Sequence, residues 1–162
     1  MDRSCCFVTL FVATLILTAS TVALAQTDPA ALVKQFLEAI DRGDAAGALA
    51  LYADEAVIDG GGMCAAAPCG GRAAIQKELD RRVANKLHFT ILKQYVSGNV
   101  VTSRVEARSD SVKKAGVERI IEWGIFETKG DKISYARGGI PDRSDPQTAS
   151  FAEWQRAQPP AR

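Results

Sequence analysis

A change of hydrophobic period near residue 87 constrains this chain most. Upstream of it, apolar residues recur at helical spacing: Leu32, Val33, Phe36, Leu37 and Ile40, and later Ile75, Leu79 and Val83. Downstream the period is two. Leu87, Phe89 and Ile91 alternate with His88 and Thr90, and Val101, Val105 and Ala107 alternate with Thr102, Arg104, Glu106 and Arg108. Helices therefore gather in one half of the sequence and strands in the other, which is the signature of an α+β fold.

Punctuation residues divide the two halves. Thr27-Asp28-Pro29 reads as a helix start, with a capping oxygen and a proline in the first turn. Arg42-Gly43 ends that helix, and Asp44 caps a second over "DAAGALALYA". "EAVID" reads as a short strand, and "GRAAIQKELDRRVANK" as a third helix. In the second half, Ser97-Gly98-Asn99 and Lys129-Gly130-Asp131 mark hairpin turns, and residues 109–116 read as a polar loop. The expected architecture is a curved antiparallel sheet of four long strands plus one short strand. It packs against three N-terminal helices, which enclose a core with a pocket between the layers. The domain is expected over residues 26–141. A polar tail over 142–162 follows, in which Phe151 and Trp154, three apart, suit a short docking helix.

The first residues bear on compartment. An apolar run from Cys5 to Leu24 ends in Ala23-Leu24-Ala25 ahead of Gln26, the pattern of a secretory signal peptide over residues 1–25. The expected location is periplasmic or secreted. Cys64 and Cys69 are the two cysteines left after cleavage, and outside the cytosol such a pair tends to oxidise. Their four intervening residues are not the spacing of a C-x-x-C redox motif, and one histidine, His88, is too few for a metal site. A structural disulfide over a small glycine- and alanine-rich loop is the expectation. Formal net charge is +1 with acids and bases interspersed, so no basic stripe points to nucleic acid. No second apolar run is long enough to span a membrane after cleavage.

Three stretches carry a resemblance: "FLEAIDRGDAAGALALYADEAVID", "GRAAIQKEL" and "GIFETKGDKISYARGGI". They resemble nuclear transport factor 2-like domains of the SnoaL-like kind, from about Ala30 to Ile140. The resemblance implies a cone-shaped domain with a ligand cavity between helices and sheet, and often dimerisation through the outer sheet face. It extends to ketosteroid isomerases, limonene-type epoxide hydrolases and polyketide cyclases, and to binding domains without catalysis. The isomerases' donor tyrosine falls on Phe36 and their general base on Gly60, one place from Asp59. Their second acidic donor falls on Glu122. The hydrolases' Arg-x-Asp pair falls on Arg104 and Glu106, while the place of their second acid, after Arg137, is Gly138.

These readings give a set of candidate residues. Glu122, inside the apolar "IIEWGIF", is expected as a pocket acid with a raised pKa, or as a buried carboxylate paired with Arg104 or Arg137. Alternation puts Arg104 and Glu106 on a wet strand face, whereas the resemblance implies that they stand inside with Glu122 as the catalytic set. Asp59 either points into the pocket mouth or caps a loop, and His88 is a pocket proton carrier or an edge residue. Asp59, His88, Phe36, Tyr52, Phe126 and Arg137 are the expected ligand contacts. The absence of a second histidine removes Ser-His and Cys-His hydrolase chemistry, and Gly60-Gly61-Gly62 lacks the setting of a nucleotide loop. No cofactor or metal is expected.

The expected function is binding of a small, mainly apolar molecule. The alternatives are a small-molecule lyase, isomerase or hydrolase, and a non-catalytic interaction module. Ile121, Trp123 and Ile125 make the outer face of their strand apolar as well. That face predicts a homodimer, unless the Phe151/Trp154 helix covers it within one chain.

Overall fold

The computed structural model describes residues 28–60 and 68–158. The expected signal peptide and Cys64 lie outside the described residues. Helix α1 spans Pro29–Asp41, where Asp28 accepts a hydrogen bond from the Ala30 amide at 3.0 Å. Its buried stripe is Leu32, Val33, Phe36, Leu37, Ala39 and Ile40. Helix α2 is shorter than the sequence suggests, Ala45–Ala50, capped by Asp44 onto the Gly47 amide at 2.7 Å. Strand β1 (Tyr52–Asp59) begins where helical propensity would have continued. Tertiary pairing overrides that propensity: the Ile133 amide donates to the Leu51 carbonyl at 2.8 Å, and Tyr52 is drawn under Phe36.

Strand β2 is the two-residue Cys69–Gly70, and helix α3 spans Arg72–Ala84. Strands β3 (His88–Ser97) and β4 (Val100–Arg108) form a hairpin. The expected polar loop contains a single turn of helix, α4 (Asp110–Lys114), because the Ser109 hydroxyl caps the Val112 amide at 3.2 Å. Strands β5 (Ile120–Lys129) and β6 (Lys132–Pro141) form a second hairpin, and helix α5 spans Pro146–Ala157.

The six strands make one sheet in the order β2-β1-β6-β5-β4-β3. The fold is α+β as expected, but the sheet is mixed rather than antiparallel. The chain returns β6 beside β1 in the same direction, so this one pair is parallel. Helix α1 crosses β3, β4 and β6, and α2 and α3 pack alongside it. All three cover the sheet face that carries Val101, Val105, Phe126, Ile133 and Ala136, and this layer is the main core. A smaller cluster of Ala107, Val112, Ile120 and Phe151 docks α4 and α5 at one end. Among the described residues, no helix is long and apolar enough to cross a membrane.

Candidate functional site

A cavity of about 180 Å³ lies between the helices and the inner sheet face. Each wall follows from strand or helix period. On β5 the even positions Ile120, Glu122, Gly124 and Phe126 face inward, opposite Ala107, Val105, Ser103 and Val101 of β4. From α1 come Phe36 and Leu37, from α3 Arg81 and Arg82, from β3 Phe89, and from α5 Phe151 and Gln155. Phe36 meets Phe126 edge-on at 5.8 Å between ring centroids. Gly124 makes this possible: a Cβ there would lie 2.9 Å from the Phe126 ring.

Two ionisable groups share this space. Burial pushes the Glu122 carboxyl up from 4.5 to about 7, and the Arg82 guanidinium offsets only part of that rise. The Glu122 carboxyl makes no hydrogen bond or ion pair among the described residues. Across the cavity, Arg82 is nine-tenths buried, and its Nε donates to Glu78 Oε1 at 2.9 Å. Glu78, also buried, is shared: Arg81 donates to both of its oxygens at 2.8 Å. Behind this cluster sits Tyr52, packed edge-on against Phe36 at 5.4 Å. Its hydroxyl is buried without a hydrogen-bond partner among the described residues, and burial pushes its pKa up to about 12.

Of the residues expected from the sequence, Glu122, Phe36 and Phe126 line the cavity. Tyr52 lies behind the wall rather than in it. The catalytic trio is not assembled. Arg104 and Glu106 pair across from Trp123 and Ile121, on the outer sheet face, one strand position out of phase with Val105 and Glu122. Arg104 donates from Nε and Nη2 to Asp142 at 3.1 and 2.8 Å and lies over the Trp123 ring. Glu106 accepts from Arg108 and pairs with Arg119, which also pairs with Asp145. The Ser144 hydroxyl and then Arg104 hold the Asp142 carboxyl below its usual range. These outer pairs fasten the turn that leads into α5. The alternation of β4, not the family correspondence, gives their true orientation.

Three further expectations are corrected by position. Asp59 accepts a hydrogen bond from the Tyr135 hydroxyl at 3.1 Å at the far end of β1, away from the cavity. Arg137 is exposed, with its side chain over Gly60. His88 is exposed and bound through Nδ1 to Asp41 at 2.9 Å, in a separate open cleft that Glu106 also borders. Each sits at a strand end or on the outer face, where the chain meets water rather than the interlayer space. Cys69 opens β2, so the expected Cys64–Cys69 clasp lies half outside the described residues. No group of three or more His, Cys, Asp or Glu among the described residues is placed to hold a metal.

Arg82 and Glu78 are the site residues that sequence reasoning missed. Their signal was present: Ile75, Glu78, Leu79 and Arg82 follow i, i+3, i+4, i+7, and all four are buried. The stripe expected from Ile75, Leu79 and Val83 passes over two charged residues at core positions. Val83 itself is only half-buried.

A family model described as SnoaL-like domain matches residues 33–136, nearly all of the helix-and-sheet cone. The chain belongs to the SnoaL-like domain family. Solved structures agree on the fold. SalBIII, an epoxide hydrolase/cyclase-like enzyme in pyran ring formation in the polyether salinomycin, superposes with a TM-score of 0.61 at 16% identity, covering 72% of this chain and 92% of its own. An NTF2-like protein of unknown function from Cytophaga hutchinsonii gives 0.57 at 14% identity, covering 75% and 96%. A protein with a ketosteroid isomerase-like fold from Catenulispora acidiphila, in complex with trimethylamine, gives 0.56 at 20% identity, covering 70% and 87%. No curated protein matches the chain. The SnoaL-like cone is therefore the scaffold on which this site is built, and its chemistry has to be argued from the residues above.

Proposed function

We propose that this SnoaL-like domain is an exported binding protein for a small, mainly apolar molecule held between its helices and sheet. The observation that carries the reading is the cavity itself, about 180 Å³ and walled by Phe36, Phe89, Phe126 and Phe151. That volume lies below the usual range for drug-sized ligands and just above the roughly 150 Å³ that accommodates benzene. An open cavity favours ligand binding over the interaction module, which needs a filled interior. Native mass spectrometry of the secreted or periplasmic protein tests the reading. A co-purifying species of one-ring size is the expected result; loss of thermal stabilisation by every small aromatic probe tried would sink it.

A second reading is favoured by Glu122, the carboxyl that burial brings to about 7. A group titrating there both takes and gives a proton at neutral pH, which suits a small-molecule lyase, isomerase or hydrolase. Arg82, rather than Arg104 and Glu106, is its companion across the cavity. Turnover of an identified ligand that survives Glu122→Gln would remove this reading.

Export rests on the apolar run before Gln26, and the Cys64–Cys69 clasp is proposed with it. Sequencing the N-terminus of the mature protein checks cleavage after Ala25, and thiol titration checks the clasp. Homodimerisation is proposed through the outer sheet face. There Trp123 stacks on Tyr95 at 6.3 Å between centroids, and Ile125 lies beside them in register with Thr102 and Arg137. Ile121, expected on the same face, is buried, and its amide donates to Thr148 Oγ1 of α5 at 2.7 Å, while Phe151 of α5 turns to the cavity and stacks on Trp154. A dimer by light scattering that Trp123→Asp converts to monomer is the expected outcome.

A further inference from the structure

The cavity has two polar ends whose hydrogen-bonding needs the protein leaves open. Arg82 spends its Nε on Glu78, and its terminal nitrogens find no acceptor among the described residues, although the residue is 6% exposed and lines the cavity. Guanidinium donors that open on a cavity can donate to a ligand held there. Glu122 lines the same cavity, likewise without a hydrogen bond, and it is too far from Arg82 for a direct ion pair.

Donor and acceptor types decide what kind of group fits between them. Arg82 spends Nε on Glu78 and can offer the cavity only further N–H donors. An amine ligand would meet Glu122 but would set its own donors against those of Arg82. A neutral apolar ligand would leave both polar ends unsatisfied. A carboxylate accepts from Arg82 and from Glu122 in its acid form, satisfying both.

We propose that the cavity binds a small organic monocarboxylate, its oxygens between Arg82 and Glu122 and its apolar body, about one ring in size, against Phe36, Phe89 and Phe126. This rests on the ligand-binding reading above and names the chemical class of the ligand. It has a proton linkage. Glu122 donates only when protonated, so the complex forms with proton uptake, and affinity falls about tenfold per pH unit once the pH exceeds the Glu122 pKa. The other charged groups facing this carboxyl are all arginines: Arg81 and Arg82 from α3, and Arg143 and Arg156 in the adjoining groove beside α5. They keep their charge throughout that range, so the slope belongs to Glu122.

The test titrates the purified full chain with benzoate, benzamide, benzylamine and toluene by calorimetry, from about pH 6 to about pH 9. Benzoate is expected to bind at least about tenfold tighter than the other three at the acid end, with proton uptake visible as a buffer-dependent heat. In Glu122→Gln the amide still donates, so benzoate binding is expected to persist with its pH dependence gone. In Arg82→Gln benzoate is expected to lose at least about tenfold in affinity while toluene binding stays, which shows the cavity intact. Benzoate binding no tighter than toluene or benzylamine would overturn the carboxylate assignment and leave the apolar pocket standing, as would a flat pH profile in the unmodified protein. If none of the four probes binds, the pocket reading falls as well.

Discussion

The two faces of the sheet carry the same residue types and put them to different use. On the outer face, Arg104 and Glu106 are satisfied by Asp142, Arg108 and Arg119, in partial contact with water. On the inner side, Arg82 and Glu122 lie within the interlayer space, and each retains hydrogen-bonding capacity that no described residue uses. Pairing turns the first set into a fastening for the turn before α5. Incomplete pairing is what makes the second the proposed recognition site. The lesson is that an Arg-Glu set is identified as functional by what remains unsatisfied, not by residue type or by correspondence with a relative's motif.

Substituting the arginines breaks this comparison most directly. Arg82→Met removes a cation from a buried cluster and leaves Glu78 with Arg81 alone, so chemical denaturation is expected to show a loss of about 3 kcal/mol or more. Arg104→Met, acting on a pair that water screens, is expected to cost under about 1 kcal/mol. Equal losses at the two positions would remove the distinction between the faces.

The next effect is on pH. Burial raises the Glu122 pKa from 4.5 to about 7, so the folded state holds a proton that the unfolded state has already released. Stability from this group is therefore full below about 4.5, declines as the pH rises, and levels off above about 7. The difference is on the order of 3 kcal/mol. Denaturation of the native chain and of Glu122→Gln at several pH values isolates the contribution: the gap between the two proteins is expected to change across that window. A constant gap would mean that Glu122 reaches water.

The smallest effect sharpens the inner face. Tyr52 buries a hydroxyl with no partner, so Tyr52→Phe removes an unsatisfied donor while keeping the ring against Phe36. A gain of about 1 kcal/mol is expected by thermal or chemical denaturation. A loss would show that the hydroxyl does have a partner.

Much of the scaffold was legible because it depends on local period. The stripe of α1, the inward set of β4 and the turns at Gly98 and Gly130 follow from one-dimensional spacing and backbone preference. The alternation of β4 also located Arg104 and Glu106 correctly, where transfer of a family motif did not. Glu122 could be picked out because a carboxylate in an apolar strand needs a reason.

Its partner was harder to see. Arg82 stands next to Arg81 in "LDRRV", and helical spacing assigns one to the core stripe only when a charged residue is accepted there. That acceptance depends on Glu78 one turn earlier and on the cavity beyond.

By itself, then, the sequence determined the order of helices and strands, the faces of α1 and β4, and the membership of a helix-on-sheet family. Local hydrogen bonding and side-chain period act within a few residues and need no knowledge of the rest of the chain. Only the tertiary structure decided that β6 returns parallel to β1, that α2 yields to a strand at Tyr52, and that Arg82 faces Glu122 across a hollow. Those outcomes are set by which distant segments meet and by how much water is excluded when they do. Both depend on packing in three dimensions.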